Sequence, residues 1–132
     1  MKKSFTMIEL MLVVIIIGLL ASAVLPRLAG RAERARRIAA KADVSANIAS
    51  ALDLYEMDVG DYPKSLQDLL ERPSGADNWS GPYLKREPKD PWGRPYYYKA
   101  PGDHNVYGYD LHSIGPDGQD GTDDDIDNWS EQ

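Results

Sequence analysis

Phe5-Thr6-Met7-Ile8-Glu9, preceded by Lys2-Lys3-Ser4 and followed by an unbroken apolar run from Leu10 to Leu25, decides how the rest of this chain is read. Phe5–Leu25 is 21 residues, and at ~1.5 Å per residue an α-helix of that length spans about 31 Å, enough for the hydrocarbon core of a bilayer. The β-branched stretch Val13-Val14-Ile15-Ile16-Ile17 is a modest helix handicap in water. In lipid the helix is enforced, because backbone polar groups find no other partner there. A carboxylate near the start of such a segment is costly unless it is paired, so Glu9 requires a partner that this chain alone is not expected to supply. Pro26 ends the run and is expected to kink or weaken the helix there.

Charge is segregated along the chain. Residues 1–44 hold eight Lys/Arg against three Asp/Glu, a net of +5, whereas residues 45–132 hold seven against eighteen, a net of −11. Spread over a surface, such an acidic excess keeps a domain soluble. With 132 residues the chain is expected to hold one small domain at most, and a membrane stretch plus the helix after it leave roughly 70 residues for a globular head. A head that small buries a thin core and often needs a staple. There is no cysteine, so neither a disulfide nor a thiolate metal site is available.

Two alternatives arise from the same N-terminal stretch. Ala21-Ser22-Ala23 has the form of an ordinary signal-peptidase site, and cleavage after Ala23 would leave a soluble protein starting at Val24. Glu9 interrupts the start of the apolar region that this reading needs. Orientation is the second tension: Arg27, Arg31, Arg34, Arg36, Arg37 and Lys41 follow the segment, and by the positive-inside rule they would hold the C-terminal part in the cytoplasm.

From Arg27 to Val59 the sequence is rich in Ala and Arg, has no proline, and predicts a continuous helix. Val44, Ile48, Leu52, Tyr55 and Val59 recur at helical spacing and form an apolar stripe on one face. Gly60 suits the left-handed residue after a helix, and Pro63 blocks resumption. The stripe starts only near Val44, so the first half of this helix is expected to project and the second half to pack against the head, in the manner of a ladle. The arginine stretch points away from nucleic acid: Glu33 pairs with Arg36 or Arg37 at helical spacing, and a basic belt beside a membrane attracts anionic headgroups.

In the head, Ser65 is expected to cap a short helix Leu66–Glu71, with Asp68 as its capping partner and Leu66, Leu69 and Leu70 on the buried face. Residues 72–81 read as loop, and Pro82–Leu84 and Pro88–Pro95 are too broken by proline for central strands. Tyr96–Lys99 and Val106–Leu111 read as an antiparallel pair turning at Pro101-Gly102-Asp103. The tyrosines and tryptophans are taken as builders of a minimal sheet and core, in preference to a carbohydrate-binding face. The fold class is therefore α+β: a long N-terminal helix that begins as a transmembrane segment, then a head with a short helix and an antiparallel sheet.

Asp117-Gly118-Gln119-Asp120-Gly121-Thr122-Asp123-Asp124-Asp125-Ile126-Asp127 packs six Asp into eleven residues. Like charges at this density favour a bound cation, and carboxylates with backbone carbonyls are the hard oxygen donors that suit Ca²⁺. The spacing excludes an EF-hand, since taking Asp123, Asp125 and Asp127 as the first ligands puts Asn128 where glycine is needed. Gly118 and Gly121 allow the backbone to fold back. Asp123 and Asp125 share a face of an extended stretch, and Asp117 arrives from the other arm. Ile126 and Trp129 are expected to pin the loop to the head.

Phe5-Thr6-Met7-Ile8-Glu9-Leu10 resembles the processing and assembly signature of type IV pilins and their relatives, and Pro26 falls at the family's distance from the mature start. Gly60-Asp61-Tyr62-Pro63, Asp90-Pro91-Trp92-Gly93-Arg94-Pro95-Tyr96 and Ser113-Ile114-Gly115-Pro116-Asp117-Gly118 are similar to one branch, the major pseudopilins of bacterial type II secretion systems. The absence of Cys agrees with this branch, because a generic type IV pilin usually carries a C-terminal disulfide loop.

The resemblance implies cutting between Ser4 and Phe5 by a prepilin peptidase, where the family has Gly in place of Ser4, and methylation of the Phe5 amine. It implies four segments: leader 1–4, transmembrane and assembly helix 5–26, its amphipathic continuation 27–59, and a periplasmic head 60–132. It further implies a calcium site with side-chain ligands Asp117, Asp123 and Asp125 and backbone oxygens of Ile114 and Gln119, leaving Asp124 and Asp127 facing solvent. The implied role is a structural subunit and not an enzyme. Held in the inner membrane by lipid, it would polymerise with its own copies and with minor pseudopilins. An assembly platform and its ATPase would drive the filament to export folded proteins. Glu9 would pair with the ammonium at Phe5 of a neighbour or of its own chain. The alternatives are a minor pseudopilin or true type IV pilin, and the secreted calcium-binding protein starting at Val24. A hydrolase has little support, because the only histidines, His104 and His112, sit in no nucleophile motif and read as surface or strand residues.

Overall fold

The computed structural model describes residues 4–130. Helix α1, Met7–Ala42, runs through position 26 without a break in its secondary structure. The side chains of residues 25–28, Pro26 among them, lie outside the described residues. By its internal contacts the chain forms two units, Met1–Ala35 and Arg36–Gln132. In the first, the large apolar side chains among the described residues are exposed, with Phe5 81 % accessible and Val14 and Ile15 each 63 %. It contains the start of the one helix, among the described residues, that is long and apolar enough to cross a membrane.

The predicted uninterrupted helix to Val59 is corrected by one wide turn. Asp43–Asn47 is π-helical, with the Ile48 amide donating to the Asp43 carbonyl, before α2 continues as Ile48–Val59. A wide turn advances the helix by one residue without changing the side that faces the head. Val44 and Ile48 are both almost wholly buried, and the Asp43 carboxylate accepts the Tyr96 hydroxyl at 2.8 Å. The stripe from Val44 to Tyr55 is the core face, joined there by Ala40 and Ala51, whose small side chains gave no periodic signal. Gly60 closes α2 with φ +100° and donates to the Glu56 carbonyl at 2.7 Å.

The short helix after Ser65 is a 3₁₀ turn, Leu66–Leu69, shorter than Leu66–Glu71. Asp68 caps it by accepting from the amides of Lys64 and Ser65 at 3.0 and 3.1 Å. The sheet has three antiparallel strands in the order β1 (Tyr97–Lys99), β2 (Asp110–Ser113), β3 (Ile126–Asp127). Tyr98 pairs with Leu111, and Ser113 with Ile126. The second strand was expected over Val106–Leu111; it starts instead at Asp110. The Asp110 carboxylate accepts the backbone amides of Asp103, His104 and Asn105 at 2.8–2.9 Å, folding residues 100–109 into a loop around itself in place of a tight hairpin. Burial pushes the Asp110 carboxyl up, but these donors and the His104 ring outweigh it and hold it below its ordinary value. One core joins Val44, Ile48, Leu52, Tyr55, Leu69, Tyr96 and Leu111.

Candidate functional site

The strand β2 and the turn Asp90–Arg94 set the base of the acidic loop. Asp90, only 4 % exposed, accepts the amides of Trp92 and Arg94 and the hydroxyl of Ser113. Arg94 then reaches the Gly115 carbonyl at 2.6 Å. Beyond this clamp the chain turns at Gly115, with φ +61°, where a Cβ would collide with the Asp124 carbonyl. Gly118, with φ +71°, lies so close to Arg94 that a Cβ would sit 2.7 Å from the guanidinium carbon. β3 returns the chain to the sheet with Ile126 buried, and Trp129 stacks on His104 with ring centroids 4.2 Å apart. Ile126 and Trp129 thus anchor the loop as their apolar character predicts.

Asp117 is exposed, and its Oδ1 accepts the Gln119 amide at 2.8 Å. Asp123 is exposed. Asp125 is partly buried: its Oδ2 accepts the Gly121 amide at 2.8 Å, while its Oδ1 is buried with no hydrogen-bond partner. Ile114 is 7 % exposed, directly after β2, and the Gln119 carbonyl accepts the Thr122 hydroxyl at 3.2 Å.

Two carboxylates expected to face solvent are half-buried and also cap the loop. Asp124 accepts the Thr122 hydroxyl at 2.6 Å and the Asp117 amide at 3.0 Å, and the Thr122 contact leads in holding its carboxyl below the ordinary value. Asp127 accepts the amides of Trp129 and Ser130. Backbone amides in a glycine-rich turn have no ladder partner, and these side chains supply their acceptors.

Among the described residues, the carboxylate and imidazole groups whose donor atoms converge within 4.8 Å of one another are those of His112, Asp120 and Asp125. Asp117 and Asp123 are not part of that group. Asp120 gave no signal of its own within the run of aspartates, and His112 read only as a strand residue.

At the other end of the chain, Ser4 and Phe5 are exposed. Glu9 has a partner within its own chain. Its carboxylate accepts the backbone amide and the hydroxyl of Thr6, both at 2.9 Å, and the Glu9 amide returns to Thr6 Oγ1 at 3.3 Å. This reciprocal cap gives Glu9 hydrogen bonds from Thr6, a contact the sequence reading did not include. It satisfies hydrogen bonding without supplying a counter-charge of its own.

A long apolar N-terminal helix with a capped glutamate in its first turn, combined with a small α+β head ending in an acidic loop, places the chain in the type IV pilin-like class. The family described as type II secretion system (T2SS), protein G, matches residues 27–129. The type II secretion system core protein G of Escherichia coli (strain K12) is 44 % identical over 135 residues, covering 97 % of this chain and 91 % of that one. The Pseudomonas aeruginosa core protein G is 44 % identical over 138 residues, covering 97 % and 95 %. A crystal structure of the major pseudopilin from the type 2 secretion system of enterohaemorrhagic Escherichia coli superposes with a TM-score of 0.64 at 36 % identity, covering 76 % of this chain and 87 % of that chain. This chain belongs to the type II secretion protein G family, the major pseudopilins, a family of structural secretion-system components.

Proposed function

We propose that the chain is the repeating subunit of a periplasmic pseudopilus whose growth drives folded proteins through the outer membrane. The observation that carries this reading is the exposed apolar surface of the Met7 helix with Glu9 in its first turn: apolar side chains left accessible among the described residues, with one charge that Thr6 hydrogen-bonds but does not neutralise. Cutting before Phe5 by a prepilin peptidase, followed by methylation, would create an ammonium within reach of a neighbour's Glu9. In a low-dielectric helix bundle that pair is strong, and a subunit out of register leaves a charge unpaired. Charge would set the axial step while the apolar faces supply adhesion. The inner membrane would hold the unassembled subunits with their heads in the periplasm. The platform, its ATPase and minor pseudopilins would complete the assembly.

The acidic loop fits calcium by its donors: hard oxygens, glycine turns, and the buried, unpaired Oδ1 of Asp125. Asp117, Asp123 and Asp125, with the Ile114 and Gln119 carbonyls, would hold the ion, which supplies positive charge that locks the loop onto the head.

The test is made in cells that also produce a prepilin peptidase. The intact mass should start at Phe5 with an added methyl, and Glu9→Ala should insert in the membrane yet form few filaments. A mass starting at Val24, or normal filaments from Glu9→Ala, would overturn the reading.

A further inference from the structure

We propose that His112, Asp120 and Asp125 form a second kind of metal site, one that takes a borderline divalent transition cation, with zinc as the representative. His112 Nε2 lies 2.9 Å from Asp120 Oδ1, and the donor atoms of all three residues fall within 4.8 Å of one another. One donor, the His112 imidazole, differs in kind from those that suit calcium. An imidazole nitrogen is a favoured ligand for Zn²⁺ and its neighbours in the transition series, whereas Ca²⁺ takes oxygen. The buried Oδ1 of Asp125 is an acceptor with no donor, costly as it stands and relieved by either cation, so it is the His112 imidazole that favours zinc.

Packing fixes the histidine. Its side chain is 15 % exposed, its ring stacks on Tyr97 with centroids 5.1 Å apart, and it meets the ring of Trp129 edge-on at 5.4 Å. Asp125 is held by the Gly121 amide. Asp120, with a side chain 64 % exposed, is the movable member. A tetrahedral zinc with bonds of about 2.0–2.1 Å sets its ligand atoms roughly 3.4 Å apart, so donor atoms that already lie within 4.8 Å of one another close on it by small side-chain shifts, with Asp120 the freest to move. The metal takes the place of the proton between His112 Nε2 and Asp120 Oδ1. Three protein donors leave one position open toward the cleft of about 680 Å³ that these residues share with Lys99, His104 and Trp129. The site shares Asp125 with the proposed calcium site, so the two ions compete for that carboxylate, and the metal-stripped protein is where the zinc site is read.

The test uses the full-length protein in detergent micelles, stripped of metal and titrated with Co²⁺ and then Zn²⁺. One equivalent of Co²⁺ should give the visible bands of a tetrahedral nitrogen–oxygen site, and Zn²⁺ should bleach them. Asp120→Ala, a change at an exposed side chain that leaves the core intact, should weaken binding at least tenfold, and His112→Gln should do the same. Absence of the bands, or an affinity unchanged in Asp120→Ala, overturns the proposal, and that second variant decides the matter if His112→Gln fails to fold. Calcium produces no such bands, so a silent loop in calcium and a silent site in cobalt are separate results.

Discussion

At Tyr96 a single hydroxyl ties the helical side of the head to its sheet. The ring is 6 % exposed beside β1, and its hydroxyl donates to Asp43 Oδ2 at 2.8 Å in the π-turn. Burial is the main reason its phenol holds its proton above the ordinary value, and the Asp43 carboxylate adds to it. Tyr96→Phe keeps the ring and removes the donor to Asp43 Oδ2, while Asn47 still donates to Oδ1 at 2.7 Å. The expected loss is about 1 kcal/mol, or about 4–8 °C in Tm for a head of this size. Thermal melts of the two proteins in the same detergent decide it, and equal Tm values would mean that the wide turn is held by its apolar contacts alone. The identity of Tyr96 as a core residue was legible in the sequence; its bond to Asp43 was not, because 53 residues separate the partners.

At the scale of an element, the segment from Ser113 to Ser130 is a loop with its ends nailed down. Asp90 and Arg94 hold its start, β3 and Trp129 hold its end, and the span between them carries charge with little apolar burial. Such a segment is expected to be stabilised by a ligand more than by packing. Calcium at a hundred times its dissociation constant should add about 2.7 kcal/mol to the stability of a site that binds only when folded. Scanning calorimetry with and without the ion should show that rise in Tm, and Asp117→Ala should remove it. A melt indifferent to calcium would end the calcium assignment. The loop was legible from its aspartates and glycines, whereas the inward turn of Asp124 and Asp127 was not. Which carboxylates meet a cation and which cap backbone amides depends on how the two arms close, and alternation along an extended strand does not describe a chain that turns at Gly115, Gly118 and Gly121.

Over the whole head, stability rests heavily on tyrosine. Burial comes first in raising Tyr62 to about 12 and Tyr109 to about 12, and Tyr55, Tyr83, Tyr96 and Tyr98 are raised as well. Each of these phenols holds its proton more tightly folded than unfolded, where the ordinary value is 10.0. Their contribution is therefore intact below about pH 10 and is lost as the pH rises from there through the folded values. Melting temperatures measured from pH 8 upward should stay level and then fall steeply above about pH 10, together with the appearance of tyrosinate absorbance. A Tm that holds level well past that point would show that the rings ionise without unfolding the head.

The sequence by itself determined the N-terminal apolar helix with a glutamate in its first turn, the buried stripe from Val44 to Tyr55, the stop at Gly60 and the presence of an acidic C-terminal loop. These follow from local chemistry: apolar periodicity, chain stiffness at glycine and proline, and charge density are properties of neighbouring residues. Only the tertiary structure decided the π-turn at Asp43–Asn47, the start of β2 at Asp110, the third strand at Ile126–Asp127, and the meeting of His112 with Asp120 and Asp125. Each of these depends on where a distant group arrives. Asp110 gathers three amides from the loop before it, Ser113 pairs with Ile126 across the acidic loop, and His112 is turned by Tyr97 and Trp129. No pattern within a single segment specifies such contacts.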